Sequence, residues 1–154
     1  MFKEHALFIK EYLLWQASSL PSAVIIQSRT RLTHMRGFKD LIVYQKAFAL
    51  AMDIFEITKK FPKEETYSLI DQIRRSSRSV CACVAESYRK RKYPAHFISK
   101  LTDADMENSE TSVWIDFSSA CKYMSEQEHN SLSGRNEEVG KMLGNMIQNP
   151  GKFL

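Results

Sequence analysis

Two neighbouring features in one short segment have side chains that could do chemistry. Residues 79–91 read SVCACVAESYRKR, in which Cys81 and Cys83 stand one residue apart and a run of bases begins that extends to Lys92. Paired thiols are typical of metal and redox sites, whereas adjacent arginines and lysines are typical of phosphate binding. The small apolar residues of the same segment are instead typical of a helix packed into a core.

Helical geometry argues against a shared metal site at the two cysteines. Successive side chains on a helix are rotated by about 100°, so residues i and i+2 point about 200° apart and cannot face one ion. A zinc site would also need a second ligand pair at suitable spacing, and the sequence has none. Cys81 falls on an apolar stripe, where a free cysteine acts as a small hydrophobe. We therefore predict no metal ligand and no cofactor.

Catalytic motifs are missing from the sequence. It contains no GxSxG nucleophile elbow and no phosphate-binding glycine loop. Its many acidic residues are of the kind that usually forms a solvated helix face. We therefore expect no catalytic residue and no enzymatic activity.

The basic run has two interpretations. Arg89, Lys90, Arg91 and Lys92 close a predicted helix, where cations favour the negative end of the helix dipole. Alternatively, these four charges contact the phosphates of a nucleic acid, with bases stacking on the flanking tyrosines 88 and 93. Such binding would tolerate many sequences and weaken with salt.

Three arginines lie in the middle of the same predicted helix. We assign Arg78 to the nucleic-acid-binding set together with the basic run. Arginine beside an apolar stripe often buries its stem and pairs with carboxylates, which the third helix or a neighbouring subunit offers. Glu86 is expected to pair with bases of its own helix, Lys90 included. The predicted structural ion pairs involve Arg74, Arg75, Glu86 and Glu110.

The elements that must position these residues are helices. Apolar residues recur at steps of three and four along four segments, and no segment alternates with period two. Asp40 is the predicted N-cap of the first helix, and Pro62 and Pro94 end the first two. The fold class is therefore all-α, an antiparallel up-down-up-down four-helix bundle. The predicted helices cover residues 40–61, about 64–93, about 95–124 and about 126–148.

Charge and polarity divide the second and third helices. Residues 74–92 contain seven basic residues and one acidic residue, whereas residues 103–128 contain seven acidic residues and one basic residue. This pattern predicts either helices that attract each other within the bundle or complementary faces of an oligomer. Small polar residues around Asn108 replace the expected leucines, which indicates a tight helix crossing or polar contacts to the basic helix.

The composition is that of one ordinary globular domain. The chain has 154 residues, a formal charge of +4 and no apolar run of the roughly 18 residues that a membrane span needs. We expect a cytoplasmic protein that does not associate with membranes. Residues 1–35 are predicted to be an N-terminal extension outside the domain, with Met35 as the true start and residues 36–154 as the bundle. An additional helix that docks a partner or a membrane surface is the alternative.

Several motifs carry a family resemblance in the expected order. The segments FKDLIVYQKAFALAMDIFEITKKFP and ETYSLIDQIRRSSRSVCACVAESYRKR are similar to the four-helix-bundle family of 23S ribosomal RNA intervening-sequence proteins. Cys83 stands where that family usually has asparagine, and Ser87 where it usually has glycine. The matching residues are Phe38, Leu41, Tyr44, Gln45, Lys46, Ala47, Phe61, Pro62, Gln72, Arg74, Arg75, Ser79, Val80, Val84, Ala85 and Glu86.

The resemblance implies a function without catalysis. Related accessory proteins of diversity-generating retroelements resemble the same bundle assembled as a pentameric ring with basic surfaces, associated with nucleic acid and a reverse transcriptase. By analogy, we expect a homo-oligomer that binds RNA or DNA, with a reverse transcriptase or another protein as a further partner. A protein-protein interaction adaptor without nucleic-acid binding is the alternative.

Overall fold

Four long helices dominate the computed structural model, which describes residues 37–154. The helices are α1 (Ile42–Ile57), α2 (Leu69–Arg89), α3 (Pro94–Ala120) and α4 (Glu126–Gln148), with short 3-10 turns before and after them. The described residues contain no strand, and the predicted all-α four-helix bundle is confirmed. The expectations about residues 1–35 lie outside the described residues.

Contacts between helices show the antiparallel arrangement. Between α1 and α4, Lys46 pairs with Glu138 and Lys60 pairs with Glu128, so the residue numbers run in opposite directions. The same reversal relates α2 to α3, where position 76 contacts 111 and position 86 contacts 100. Each of α1 and α3 packs against both α2 and α4, so α1 and α3 occupy diagonal positions in the bundle.

The first two helices begin later in the chain than the sequence predicts. Asp40 lies in a 3-10 turn and accepts a hydrogen bond from the Gly37 amide, while Leu41 is the N-cap of α1 without a side-chain bond. The helix α2 begins at Leu69 rather than at Glu64 or Glu65. Glu65 nevertheless serves this helix start, because its carboxylate accepts hydrogen bonds from the Ser68 hydroxyl and the Leu69 amide.

The helix α3 ends earlier than the predicted Met124. Lys122 adopts a left-handed backbone conformation with φ of 61°. The Tyr123 amide then donates to the Ser118 carbonyl and the Lys122 amide to the Ser119 carbonyl, which is the pattern of a Schellman motif. Glycine usually occupies this position, so a lysine gives no sequence signal for the end of the helix.

A capping box begins α4. The Ser125 hydroxyl accepts from the Glu128 amide, while the Glu128 carboxylate accepts from the Ser125 amide at 2.8 Å. The Lys60 ammonium, 2.6 Å from the same carboxylate, and the Ser125 donors lower the pKa of Glu128 to about 2. The S-x-x-E pattern of residues 125–128 carries this signal in the sequence, although it is not among the features that we predicted.

We expect Glu128→Gln to lower the melting temperature at pH 7 but hardly at pH 2. A carboxylate with a lowered folded-state pKa stabilises the fold above its unfolded-state pKa of about 4.3, and this contribution is lost as pH falls towards 2. Circular dichroism melts from pH 7 to pH 2 should therefore show the two proteins converging. Glu126→Gln, in the same exposed turn, is the control. An equal loss at both pH values would contradict the assignment.

The apolar core has two parts. One part gathers at the end of the bundle where α1 begins and α2 ends, and the other at the opposite end. The largest buried side chains of the first part are Val43, Val84, Phe97, Leu101, Val139 and Leu143. Those of the second part are Ile54, Ile73, Ile115 and Leu132.

A buried polar layer separates the two parts of the core. The Asn108 side-chain amide donates to the Asn136 carbonyl at 3.2 Å, and the Asn136 amide donates to the Asn108 carbonyl at 3.1 Å. The hydroxyls of Thr111 and Ser76 are hydrogen-bonded at 2.9 Å. The bond between Thr111 and Ser76 is a polar contact from α3 to α2, the basic helix. Such contacts therefore account for part of the polar stretch around Asn108, as the sequence predicts.

A tight crossing of α3 and α4 accounts for another part. A Cβ atom added at Gly140 would lie 3.0 Å from the Asn108 amide nitrogen, closer than side chains normally approach. The space around the layer does not admit a water molecule. The side-chain oxygens of Asn108 and Asn136 are buried and have no hydrogen-bond partner among the described residues.

Candidate nucleic-acid interface

The basic run lies where α2 turns into α3. The helix ends at Arg89, Lys90 is its C-cap, and Arg91 and Lys92 belong to the connection that leads to Pro94. The Lys90 amide still donates to the Glu86 carbonyl, and the Tyr93 amide closes the turn on the Lys90 carbonyl at 2.8 Å. The four bases are therefore held on a short, hydrogen-bonded turn.

Arg91 has a structural role in this turn. Its guanidinium carbon lies 3.6 Å from the centre of the Tyr88 ring, and its Nε donates to the Tyr88 carbonyl at 3.0 Å. The side chain thus binds one of the last carbonyls of α2, as the helix-end interpretation of the basic run expects. Tyr88 itself is buried, so its ring is not available to stack on a base.

The other bases of the run are open to solvent. Arg89 and Lys92 are exposed and Lys90 is half-buried. Within residues 37–154, no carboxylate lies within ion-pairing distance of any of the three. Tyr93 is 65% exposed and meets the ring of His96 edge-on at 6.0 Å. Three cations and one accessible aromatic ring therefore share this end of the bundle.

Arg78 extends the positive charge along α2. It is exposed, and its guanidinium carbon lies 5.7 Å from the centre of the Phe55 ring on α1. Arg89 follows eleven residues later, three helical turns on and on the same outward side. Ala82 and Ala85 lie between them, so small side chains leave both cations accessible. The arrangement can bind a line of negative charges.

Arg74 and Arg75 take different partners from those that the sequence predicts. The Arg74 Nε donates to the Thr58 hydroxyl at 2.7 Å and its guanidinium lies over Phe55, so a hydroxyl and a ring replace the expected carboxylate. This difference arises because Arg74 faces α1 rather than the acidic α3. Arg75 is exposed, and its Nη1 atom lies 3.7 Å from a carboxylate oxygen of Asp71 on the same helix.

The two acidic members of the predicted set also differ in their partners. The Glu86 carboxylate lies 2.9 Å from the Lys100 ammonium on α3, so its ion pair is not the expected one with Lys90. The reason is that Glu86 lies on the side of α2 that faces α3. Glu110 accepts a hydrogen bond from the Trp114 indole at 3.0 Å. The ion pair between Glu86 and Lys100 therefore links the basic helix to the acidic helix.

The cysteines occupy structural positions. Cys81 is buried in the core, and burial raises the pKa of its thiol to about 11. Cys83 is half-buried and packs against the same core, and burial raises the pKa of its thiol as well. In residues 37–154, no three His, Cys, Asp or Glu side chains converge closely enough to bind a metal ion.

We expect one of the three thiols to react first with an aromatic disulfide reagent at pH 8. Cys121 is exposed, whereas Cys81 is buried and its raised pKa leaves little of the nucleophilic thiolate. Stopped-flow absorbance should show one fast phase followed by slower ones. The control Cys121→Ser should remove only the fast phase; a fast phase that survives in this variant would contradict the placement.

The two family departures lie on α2 close to the candidate interface. Ser87 is fully buried, and its hydroxyl donates to the Val84 carbonyl at 2.8 Å. Cys83 packs against the core, as described for the thiols. Neither residue is exposed, so neither contributes to the basic surface.

None of the helices in the described part of the chain combines the length and apolar character that a bilayer crossing requires.

Comparison with known proteins agrees with this architecture. The family model of the 23S rRNA-intervening sequence protein matches residues 39–145. A solved structure from Bacteroides thetaiotaomicron, a protein of unknown function from the S23 ribosomal protein family, is similar at a TM-score of 0.64 and 27% identity. The similarity covers 70% of this chain and 99% of that one. No curated protein matches the sequence. The resemblance inferred from the sequence is thereby confirmed, and the chain belongs to the 23S rRNA-intervening sequence protein family.

Proposed function

We propose that this protein is a non-enzymatic, homo-oligomeric bundle that binds nucleic acid through the basic end and outer face of α2. The observation that supports this most is the exposure of Arg89 and Lys92 beside Tyr93, without carboxylate partners in residues 37–154. The proposed binding residues are Arg78, Arg89, Lys90, Arg91 and Lys92. Assembly as a five-membered ring, a reverse transcriptase partner and a cytoplasmic location are proposed from the resemblance alone.

The physical basis of binding is phosphate neutralisation. Arg89 lies eleven residues after Arg78, about 16 Å further along the helix, and phosphates of one DNA strand follow each other about every 3.4 Å along the axis. The two arginines can therefore contact phosphates that lie several positions apart on one strand. One exposed tyrosine supplies a ring on which any base can stack. Binding should consequently tolerate many sequences and depend strongly on salt.

Neutralising the basic run tests this proposal. We expect replacement of all four of residues 89–92 by glutamine to reduce retention on single-stranded RNA at least tenfold at low salt. The slope of log affinity against log salt should also become shallower, by about 0.7 for each phosphate that the protein no longer neutralises. Fluorescence anisotropy across a salt series measures both quantities. Unchanged affinity and slope would overturn the proposal.

The individual bases give a matched comparison. Because Arg91 is held on Tyr88, Arg91→Gln should change RNA affinity less than the pair Arg89→Gln and Lys92→Gln. The pair Lys63→Gln and Lys122→Gln removes the same charge from exposed positions near the other end of the bundle and serves as the control. If that control weakens binding as much, general charge rather than this surface is responsible.

One observation favours a protein-interaction adaptor as the second candidate function. The helix α3 exposes Met106, Val113 and Phe117, which are large apolar side chains of the kind that protein partners cover. An adaptor of this kind would show no RNA affinity at physiological salt and would co-purify with one specific protein. The anisotropy measurement above therefore distinguishes the two functions.

A further inference from the structure

A row of aromatic rings lies along the first half of α1. The Phe38 ring meets the Tyr44 ring edge-on at 5.0 Å, and the Tyr44 ring stacks on Phe48 with centroids 6.2 Å apart. Phe48 ends the row and is 51% exposed. Its ring is therefore supported from one side by Tyr44 and open to solvent on the other.

This exposed ring lies beside α2, between two arginines of the candidate interface. Phe55, seven residues after Phe48, shares its side of α1, and its ring centre is 5.7 Å from the Arg78 guanidinium carbon. Because the start of α1 lies beside the end of α2, Phe48 is displaced from the level of Arg78 by about 10 Å towards Arg89. Arg89 itself lies about 16 Å beyond Arg78, so the ring falls between the two cations.

The residue of α2 at the level of the ring is small. Ala85 follows Arg78 by seven residues, the same interval that separates Phe48 from Phe55, and it lies on the same side of α2 as Arg78. An alanine there leaves space above the ring that a longer side chain would fill. We call Phe48, Arg78, Ala85 and Arg89 the α1–α2 surface.

The two arginines keep their charge available. In residues 37–154, no carboxylate lies within ion-pairing distance of either one. The acidic residues of α1, and the one acid of α2 between the two arginines, have other partners: Asp53 pairs with Arg135, Glu56 with Lys59, and Glu86 with Lys100. Positive charge therefore remains on both sides of the exposed ring.

This order of cation, ring and cation suits a nucleic acid with unpaired bases. Phosphates bound at Arg78 and Arg89 place the nucleotides between them over Phe48. A base of a single strand can lie flat on an aromatic ring, whereas the bases of a duplex are stacked and paired inside the helix. A protein partner can also cover a ring, but two unpaired arginines flanking it favour a chain of phosphates.

We propose that the α1–α2 surface binds single-stranded nucleic acid, with one base stacked on Phe48 and phosphates on Arg78 and Arg89. This inference rests on the proposed nucleic-acid binding and names its substrate class. The basic residues supply affinity for any phosphate backbone, and the ring selects strands whose bases are unpaired. Tyr44 is a positioning residue, because it holds the Phe48 ring without being the exposed surface.

A strand without bases tests the stacking. Fluorescence anisotropy compares the binding of the full chain to a short oligothymidylate and to an abasic strand of equal length. Both strands carry the same phosphates, so the wild-type protein should bind the oligothymidylate more tightly, by about fivefold or more for one stacked base. Phe48→Ala should lose that factor on oligothymidylate and nothing on the abasic strand or on duplex DNA. Its dependence on salt should stay at the wild-type slope.

Phe117→Ala is the matched control. The Phe117 ring is 52% exposed, and it lies on α3, which is diagonal to α1 in the bundle. Its removal should leave the affinity for each strand unchanged. Phe48→Trp should retain the wild-type affinity, and oligothymidylate, but not the abasic strand, should quench its added tryptophan emission. Helicity and mass must stay at the wild-type values; if Phe48→Ala changes either, the quenching of Phe48→Trp decides.

The outcomes that overturn the inference differ from those that overturn the proposed function. Equal wild-type affinity for the two strands, or an equal loss in Phe117→Ala, would overturn the role of the ring and leave phosphate binding intact. A lower oligomer mass of Phe48→Ala without a loss specific to oligothymidylate would assign the ring to a protein contact instead. Failure of the wild-type protein to bind either strand would overturn the proposed function together with this inference.

Discussion

Asn108→Asp should destabilise the protein by about 3–5 kcal/mol at neutral pH, the scale measured for an uncompensated buried charge. Asn108 is buried in the polar layer, and its side-chain amide is the donor to the Asn136 carbonyl. A carboxylate cannot donate this bond, and its charge would be desolvated between α3 and α4. Chemical denaturation followed by circular dichroism measures the loss.

The pH dependence of that variant identifies the cause. Burial raises the folded-state pKa of a carboxyl group above its unfolded-state value of about 3.9. The destabilisation should therefore be small below pH 4, grow as pH rises, and level off above the folded-state pKa. Below pH 4 the protonated Asp can again donate to Asn136. Asn130→Asp, an exposed change on α4, should show neither effect, and a pH-independent loss at position 108 would contradict the explanation.

Phe97→Ala should cost about 3–5 kcal/mol, the largest loss that we expect from one apolar truncation. Phe97 is 1% exposed and packs in the part of the core that lies beneath the basic turn. Its removal leaves a cavity that the neighbouring helices can only partly fill. Denaturant unfolding at pH 7 should show the loss as a lower midpoint concentration. The slope of the free energy of unfolding against denaturant concentration should stay at the wild-type value.

Two substitutions serve as controls for that prediction. Phe97→Leu keeps most of the apolar volume and should cost much less. Tyr67→Ala removes an aromatic ring that is 94% exposed and should change the stability by no more than about 0.5 kcal/mol. A Phe97→Ala protein as stable as the Tyr67→Ala protein would show that the core does not depend on this ring.

The helices themselves were predictable from the sequence, but two of their ends were misplaced. Apolar residues at helical spacing predicted all four helices, and α4 starts at the predicted residue. The end of α3 was misplaced because Lys122 adopts a conformation that usually signals glycine. The start of α2 was misplaced because Glu65 stabilises a helix N-terminus from outside the helix. Local propensity does not encode either arrangement.

Parts of the candidate interface were predictable as well. The sequence located the basic run at the end of α2 between two tyrosines, of which only Tyr93 is accessible in the structure. It could not distinguish Arg91, bound to Tyr88, from Arg89, which is exposed, because both belong to one run of like charges. It likewise assigned Arg74 to a carboxylate, because the direction of a side chain towards α1 or α3 depends on how the helices pack.

The sequence by itself determined the fold class, the family and the segregation of charge, since periodicity, motif order and composition are properties of the chain. Only the tertiary structure decided which charges are available. Packing places Glu86 against Lys100, closes Gly140 onto Asn108, and leaves large apolar side chains of both α1 and α3 exposed. The physical reason is that a helix face becomes core, contact or surface only through its neighbours, which residue spacing within one helix does not specify.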